Sequence, residues 1–557
     1  MALSVVDSVD GETEAQASAA AVPEGATVAA RFDRLGWLAV LTTMLWPLVE
    51  TIRILAQPVH EVVFGDYALF ELSARRAWHL DQLLGPNAAA GFNHPGPAMF
   101  YLLAPAVRLL EPGPGLYFGA LLINAAALLA VVVVMWRLAG SRVALWTACA
   151  LNLFCLAVGL DVLRQPSNPM LLVIPMALFV VLWAGSVTRV PGAWLWAAVV
   201  GSYEIQTHIT AGLFVTIMVL AGGVAGLVAF LRRPSPRLPN RWWLRPARVT
   251  GVVALALIWL PSTVELFVDH PNNWNATWHW LHHGHNPGIA VGTSLGVVVR
   301  AIAIFPFQHH VWTAALPYNR AEQIAGWLII AAGLLLIGWL VARRLWFAFA
   351  LAIAAILAVP VATITVSHAG GDNFAFLTGW VSFVPYLLLL ALGVGLLTPA
   401  TVSPPRPQVR GLVAVQVGVA WLAIAAVTCA SVAAVADLSS TSLASINRAY
   451  ARDSTFVAAA RAQLRPGDHW VGVLIVSGAD WEFAAGVVLE LERLGYHTFV
   501  DPRDAFLFGK QMTTWNHSVQ EVFTFYSAYN IQAARNDIGT LVSASSGTAM
   551  TAVRLNP

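Results

Sequence analysis

Charge is what this chain has least of. Only 11% of its 557 residues are Asp, Glu, Lys or Arg, against about 25% in an ordinary soluble domain. With 58% hydrophobic residues and a positive mean hydropathy, that shortage excludes a soluble globular chain and points to a polytopic membrane protein. A net charge of +2 is too small to suggest a nucleic-acid partner. Lysine is almost absent: Lys510 stands alone and the other cations are arginines. Cysteine is scarce as well. Cys149, Cys155 and Cys429 all fall in apolar runs, which speaks against a disulfide framework or a thiolate metal site. Residues 1–33 lack the basic start of a signal peptide. They read as a disordered cytoplasmic tail ahead of an uncleaved first span.

What is present is a series of long apolar runs. A helix needs about 20 apolar residues to cross a bilayer. Runs at 36–56, 115–138, 143–161, 169–187, 209–231, 248–268, 323–343, 345–366, 377–398 and 411–436 meet that need, and a shorter one at 191–205 makes eleven. Residues 98–110 are apolar but too short to cross, and read as a helix lying in the interface. The densest cationic cluster is Arg232, Arg233, Arg237, Arg241, Arg245 and Arg248, with no acid among them. Placing it in the cytoplasm puts Arg137, Arg142, Arg189, Arg343, Arg344, Arg406 and Arg410 there too. The expected fold is therefore a polytopic α-helical membrane protein of about eleven spans occupying 34–437, with its N-terminus inside. Residues 438–557 change character. Strands at 471–476 and 497–500 flank an amphipathic helix at 480–494, with a further strand near 540–544. That pattern predicts a small α/β domain outside the membrane.

On this topology the polar residues gather on the outer face. Asp66 lies in the first outer loop among Val62, Val63, Phe64, Tyr67, Leu69 and Phe70. That apolar setting holds the acid near the interface, where partial desolvation favours a proton-accepting carboxylate. Glu61 and Glu71 lie five residues to either side, and Glu71 shares a cleft with Asp66 if 67–83 is helical. Arg75 and Arg76 follow on the same segment and suit a phosphate at headgroup level; anchoring an interfacial helix is the other reading. Arg53 near the outer end of the first span needs a partner, and Glu50 is one turn away. A Pro-Gly-rich block from Gly85 carries Asn93 and His94 toward the membrane surface. Gln206 and His208, with Glu204 and Thr207, sit at the mouth between two spans. The loop 269–322 holds Trp274, Trp278 and Trp280 with His279, His282, His283 and His285. No acid or cysteine supports that histidine spacing, so no metal is assigned, and the tryptophans suit sugar stacking or an interfacial belt. Farther on, Arg300, His309, His310 and Arg320 are candidates for a phosphate pocket, and His368, Asp372 and Asn373 mark the loop 367–376.

Two blocks, Gly65-Asp66-Tyr67-Ala68-Leu69-Phe70-Glu71-Leu72 and Asn93-His94-Pro95-Gly96-Pro97-Ala98-Met99-Phe100-Tyr101, resemble the GT-C glycosyltransferases, in particular actinobacterial members related to family-39-like mannosyl- and arabinofuranosyltransferases. The resemblance of overall plan covers most of the chain, the motif resemblance only 60–100. It implies transfer of a sugar from a polyprenyl-phosphate carrier to an envelope glycan, lipid or protein acceptor, with inversion and with Asp66 as the first-loop catalytic acid. Many members carry two adjacent acids there, whereas this chain has Gly65-Asp66, so the second acid stays open between Glu61 and Glu71. Some members use a divalent cation and others do not, so no cofactor is assigned. Two rival readings remain: a transporter or flippase for an envelope precursor, and a non-catalytic envelope assembly protein. Few mid-membrane charges, no evident repeat and a one-sided distribution of polar residues favour the enzyme.

Overall fold

The computed structural model describes residues 33–56, 63–88, 91–110, 114–232, 246–283, 288–303, 319–369, 377–398, 454–465, 470–476, 481–513, 519–527, 540–545 and 548–554. Among these, eight helices are long and apolar enough to cross a membrane: Arg34–Ala56, Gly115–Ala139, Ser141–Val158, Met170–Val187, Arg248–Val268, Arg320–Ala342, Trp346–His368 and Gly379–Leu397. Each matches an expected span, and the chain is a multi-pass membrane protein. Of the other three expected spans, 191–205 is the 15-residue helix Ala193–Thr207 and 209–231 contains the helix Gly212–Arg232. The span 411–436 and the tail through residue 32 lie outside the described residues.

The bundle is ordered around Met170–Val187. This helix is apolar on every side and buried from Met170 through Gly185, as a helix with no polar face must be. Helix Ala193–Thr207 packs against it closely at Gly201, where a Cβ would approach Phe179 Cε2 at 3.0 Å. The periphery is the reverse. Leu257, Leu260 and Phe267 on Arg248–Val268 and Leu328, Leu334 and Leu335 on Arg320–Ala342 are exposed, an apolar surface that water would not tolerate and lipid would. Glu50 is fully buried and held by Arg53 at 2.7 Å and Arg164 at 3.3 Å, while Arg164 also takes Asp161 at 2.7 Å. Two carboxylates and two guanidiniums cancel there, which makes the burial tolerable.

The C-terminal unit is a five-stranded sheet in the order β2-β1-β3-β5-β4. Its strands are β1 Trp470–Ile475, β2 His497–Val500, β3 Val519–Tyr526, β4 Thr540–Ser545 and β5 Thr548–Arg554. β1 runs parallel to β2 and β3; β5 is antiparallel to both β3 and β4. β3 and β5 go beyond the sequence expectation. Helix Trp481–Arg493 joins β1 to β2 and buries Ala484, Ala485, Val487, Val488 and Leu491.

What joins this unit to the bundle is the first-loop helix, Gly65–Trp78. It has two apolar faces. Ala68, Leu69 and Leu72 enter the core of the C-terminal unit beside Val487, Leu491, Phe456 and Phe523. Phe70, Ala74 and Ala77 pack on Met99, Phe100 and Leu103 of the short helix Ala98–Leu109. Burying an aliphatic or aromatic side chain is worth about 1.5–3 kcal/mol, so a helix buried on both faces couples the two units strongly.

Candidate active site

The first-loop helix begins at Gly65, whose φ of +59° is a conformation that a side chain would strain. That turn sets Asp66 in the first helical turn. Asp66 lines a narrow cleft whose walls are the first-loop helix (Leu69, Phe70, Ser73, Arg76), the loop through Gln82, Gly85, Pro86 and Asn93, and the segment Ala505–Gly509 of the C-terminal unit. The Asp66 carboxylate is exposed at the mouth, but the surrounding protein removes much of its water. That desolvation, followed by the charge of Glu482, pushes its pKa up to about 6. The helix N-terminus favours the anion and is outweighed.

Glu482 stands in the first turn of the helix Trp481–Arg493. Its Cγ is 3.6 Å from where a Cβ on Gly65 would lie, and Phe64 and Phe483 stack beside it with ring centroids 6.3 Å apart. Burial raises the Glu482 pKa too. Nothing in the sequence expectation singled it out. The available signal was its place just beyond the carboxyl end of β1, where α/β units gather their ligands.

The other expected residues fall into three groups. The first is structural in its contacts. Glu71 is buried and gripped by Arg493 through two bonds, Nη2 to Oε2 at 2.7 Å and Nε to Oε1 at 2.9 Å, and Arg75 Nε reaches Oε1 at 3.2 Å. Arg76 donates to Gln82 Oε1 at 2.9 Å, Ser73 Oγ at 3.1 Å and the Phe508 carbonyl at 2.8 Å. Burial lowers its pKa to about 10, so it remains a cation at neutral pH, in the cleft wall. Asn93 donates to the Gly85 carbonyl at 3.1 Å and the Phe506 carbonyl at 3.3 Å, and exchanges two 2.8 Å bonds with Asn273. It too lines the cleft and clamps its walls together.

The second group forms a separate buried cluster behind the cleft. The rings of His94 and His208 are 4.4 Å apart. His94 Nδ1 accepts from the Ile209 amide at 3.2 Å. Burial holds His94 well below the ordinary histidine value and His208 at about 4, so both are neutral imidazoles. Gln206 accepts from the Ala98 amide at 3.3 Å and donates to the Ile258 carbonyl at 2.9 Å. These three tie the first loop to helices 193–207 and 246–268, and none of them lines the cleft.

The third group lies elsewhere. Arg300 donates to Gln323 at 3.4 Å, Arg320 is exposed at a helix start, and neither lines the cleft. Glu61, His285, His309, His310, Asp372 and Asn373 lie outside the described residues. Among the described residues no three His, Cys, Asp or Glu side chains converge. A divalent cation takes about six oxygen ligands, so beside Asp66 and Glu482 it would draw the rest of its shell from substrate or water.

No family model matches the chain, and no curated protein matches it by sequence. Among solved structures it is similar to ArnT from Cupriavidus metallidurans bound to undecaprenyl phosphate, at a TM-score of 0.47 and 16% identity, covering 93% of this chain and 98% of that one. It is also similar to the Archaeoglobus fulgidus oligosaccharyltransferase in complex with Zn and sulfate, at a TM-score of 0.41 and 11% identity over 89% of this chain and 68% of that one. Likeness at these values carries no weight for the chemistry, which rests on the residues themselves.

Proposed function

We propose that this protein is a GT-C-type membrane glycosyltransferase working on the outer face of the membrane, with Asp66 as its general base. The observation that carries this reading is the placement of Asp66 at the mouth of a cleft of mixed polar and apolar lining, with a pKa of about 6. A base is most effective when its pKa lies near the working pH. The donor in this reading is a polyprenyl-phosphate sugar and the acceptor a hydroxyl of an envelope glycan, lipid or protein. Both follow the first-loop resemblance and the outward topology read from the arginine clusters.

The step is a single displacement. The acceptor O–H gives its proton to the Asp66 carboxylate as the oxygen forms a bond to the anomeric carbon. The bond from that carbon to the phosphate oxygen breaks, its electron pair leaves on the polyprenyl phosphate, and the anomeric centre inverts. The leaving group is a stable anion, so it needs a cation and not an acid. Arg76 lines the same cleft ten positions along one helix from Asp66, about 15 Å at a rise of 1.5 Å per residue. Once the two side chains reach inward, that separation suits an acceptor oxygen, a sugar and a phosphate laid in line.

The test is transfer by the purified protein in lipid, given a panel of radiolabelled polyprenyl-phosphate sugars and envelope acceptors. Wild-type protein should transfer one of them and Asp66→Asn should not. Absence of transfer from every donor, with cysteine labelling placing position 66 on the cytoplasmic side, overturns the reading.

A further inference from the structure

We propose that Glu482 of the C-terminal unit is a positioning residue for Asp66, so that the working base is a pair of carboxylates assembled only when the sheet domain docks on the first-loop helix. This deepens the proposed function and rests on Asp66 being its base. The geometry is specific. The two helices run parallel: Phe64 meets Phe483 and Gly65 meets Glu482 at one end, and Glu71 meets Arg493 farther on. Asp66 and Glu482 each occupy the first turn of their helix, so the docking that forms the Glu71–Arg493 pair also brings the two free acids to one place. Both are exposed to solvent at that end, which is where an acceptor would enter. Glu482 lies against the turn, its Cγ at van der Waals distance, 3.6 Å, from where a Cβ on Gly65 would be.

Among the described residues, the neighbouring charges on these elements have partners or positions of their own. On the first-loop helix, Glu71 is bound by Arg75 and Arg493, and Arg76 by Gln82, Ser73 and Phe508. On the sheet helix, Glu490 is held by Arg461 and Arg493 at the far end. Arg108 sits in the last turn of the packed helix Ala98–Leu109, and Lys510 beyond the cleft pairs with Asp269 at 3.2 Å. Among the described residues, Glu482 is the group whose charge acts on Asp66. A like charge beside a carboxylate disfavours its ionised form and couples the two titrations, which brings Asp66 toward the working pH.

The experiment measures the pH at which Asp66 becomes reactive toward a hydrophobic carbodiimide, which modifies protonated carboxyls, in the full-length protein in lipid, with the Asp66 peptide quantified by mass spectrometry. Glu482→Gln should move that midpoint down by about half a unit to one unit, and Glu482→Asp should restore most of it. Where a donor has been found, the acid limb of the rate profile should move by the same amount. An unchanged midpoint in Glu482→Gln, in a protein whose unfolding temperature is normal, overturns the pair. This readout needs no substrate, so a lack of transfer sinks the proposed function while the carbodiimide result still decides the pairing.

Discussion

Glu71 and Arg493 are 422 positions apart in sequence and form a doubly hydrogen-bonded ion pair, their side chains only 4% and 5% exposed. The pair is a buried electrostatic fastening between the membrane bundle and the sheet domain. Replacing Arg493 by Ala leaves a buried carboxylate with only Arg75 in partial support. Breaking a buried pair costs about 3–5 kcal/mol. The expected outcome is a lower unfolding temperature and early proteolytic release of the C-terminal unit. Replacing both residues by Leu and Met should recover much of that loss, because neither charge is then stranded.

Asp66→Asn keeps the shape and removes the base. Transfer should fall by about 10²–10⁴-fold with no loss of expression or folding. In the wild type, the rate should rise with pH through about 6 as the carboxylate ionises. A pH profile of single-turnover rates checks both statements.

The same shift has a consequence for stability. The folded-state pKa of Asp66 is above its ordinary value of 3.8, so between about 4 and 6 the folded protein binds more protons than the unfolded chain. Stability contributed by the protonated acid is therefore lost as pH rises through that window. Asp66→Asn should raise the unfolding temperature at pH 7 and leave it unchanged at pH 4, as read by thermal unfolding in detergent.

His94 and His208 act in the opposite sense. Their folded values lie below the ordinary 6.5, that of His208 at about 4, so the unfolded chain binds more protons between about 4 and 6.5. Stability should fall as pH drops through that window. His208→Gln should flatten the acid side of the stability curve, while transfer at pH 7 changes far less than in Asp66→Asn.

Gly65→Ala tests the turn that aims the base. A Cβ would meet Glu482 only at ordinary contact, 3.6 Å, so the cost is in the backbone at φ +59°, about 1–2 kcal/mol. Rebuilding that turn displaces Asp66. The expected result is a modest drop in unfolding temperature with a disproportionate loss of turnover.

The eight spans were legible because lipid is an undemanding solvent: a run of about 20 apolar residues is a local property, readable without knowing its neighbours. The strands at 470–475 and 497–500 and the helix between them were legible for a similar reason, each having its own apolar period. β3 and β5 were harder to see, since Val519–Tyr526 and Thr548–Arg554 interleave polar residues such as Gln520, Thr524 and Thr551 with the apolar ones. The sequence also marked Asp66, Arg76 and Asn93, all three of which line the cleft. His94, Gln206 and His208 were expected beside the donor; in the structure they meet one another behind the cleft and outside its lining.

By itself the sequence determined that this chain is a membrane bundle with a small α/β unit appended, and that an acid stands in an apolar setting soon after the first span, because hydrophobic length and local composition are written in neighbouring residues. The helix expected at 67–83 is Gly65–Trp78, which takes Asp66 into its first turn. Only the tertiary structure decided which acid stands beside Asp66. Glu71 is close in sequence, yet it is held by Arg493 farther along the helix. Glu482 is remote in sequence, yet parallel packing of two helices sets it against Gly65. Partnership between charges depends on distance in space, and across a domain interface that distance is set by the docking of two buried apolar faces, which no local pattern records.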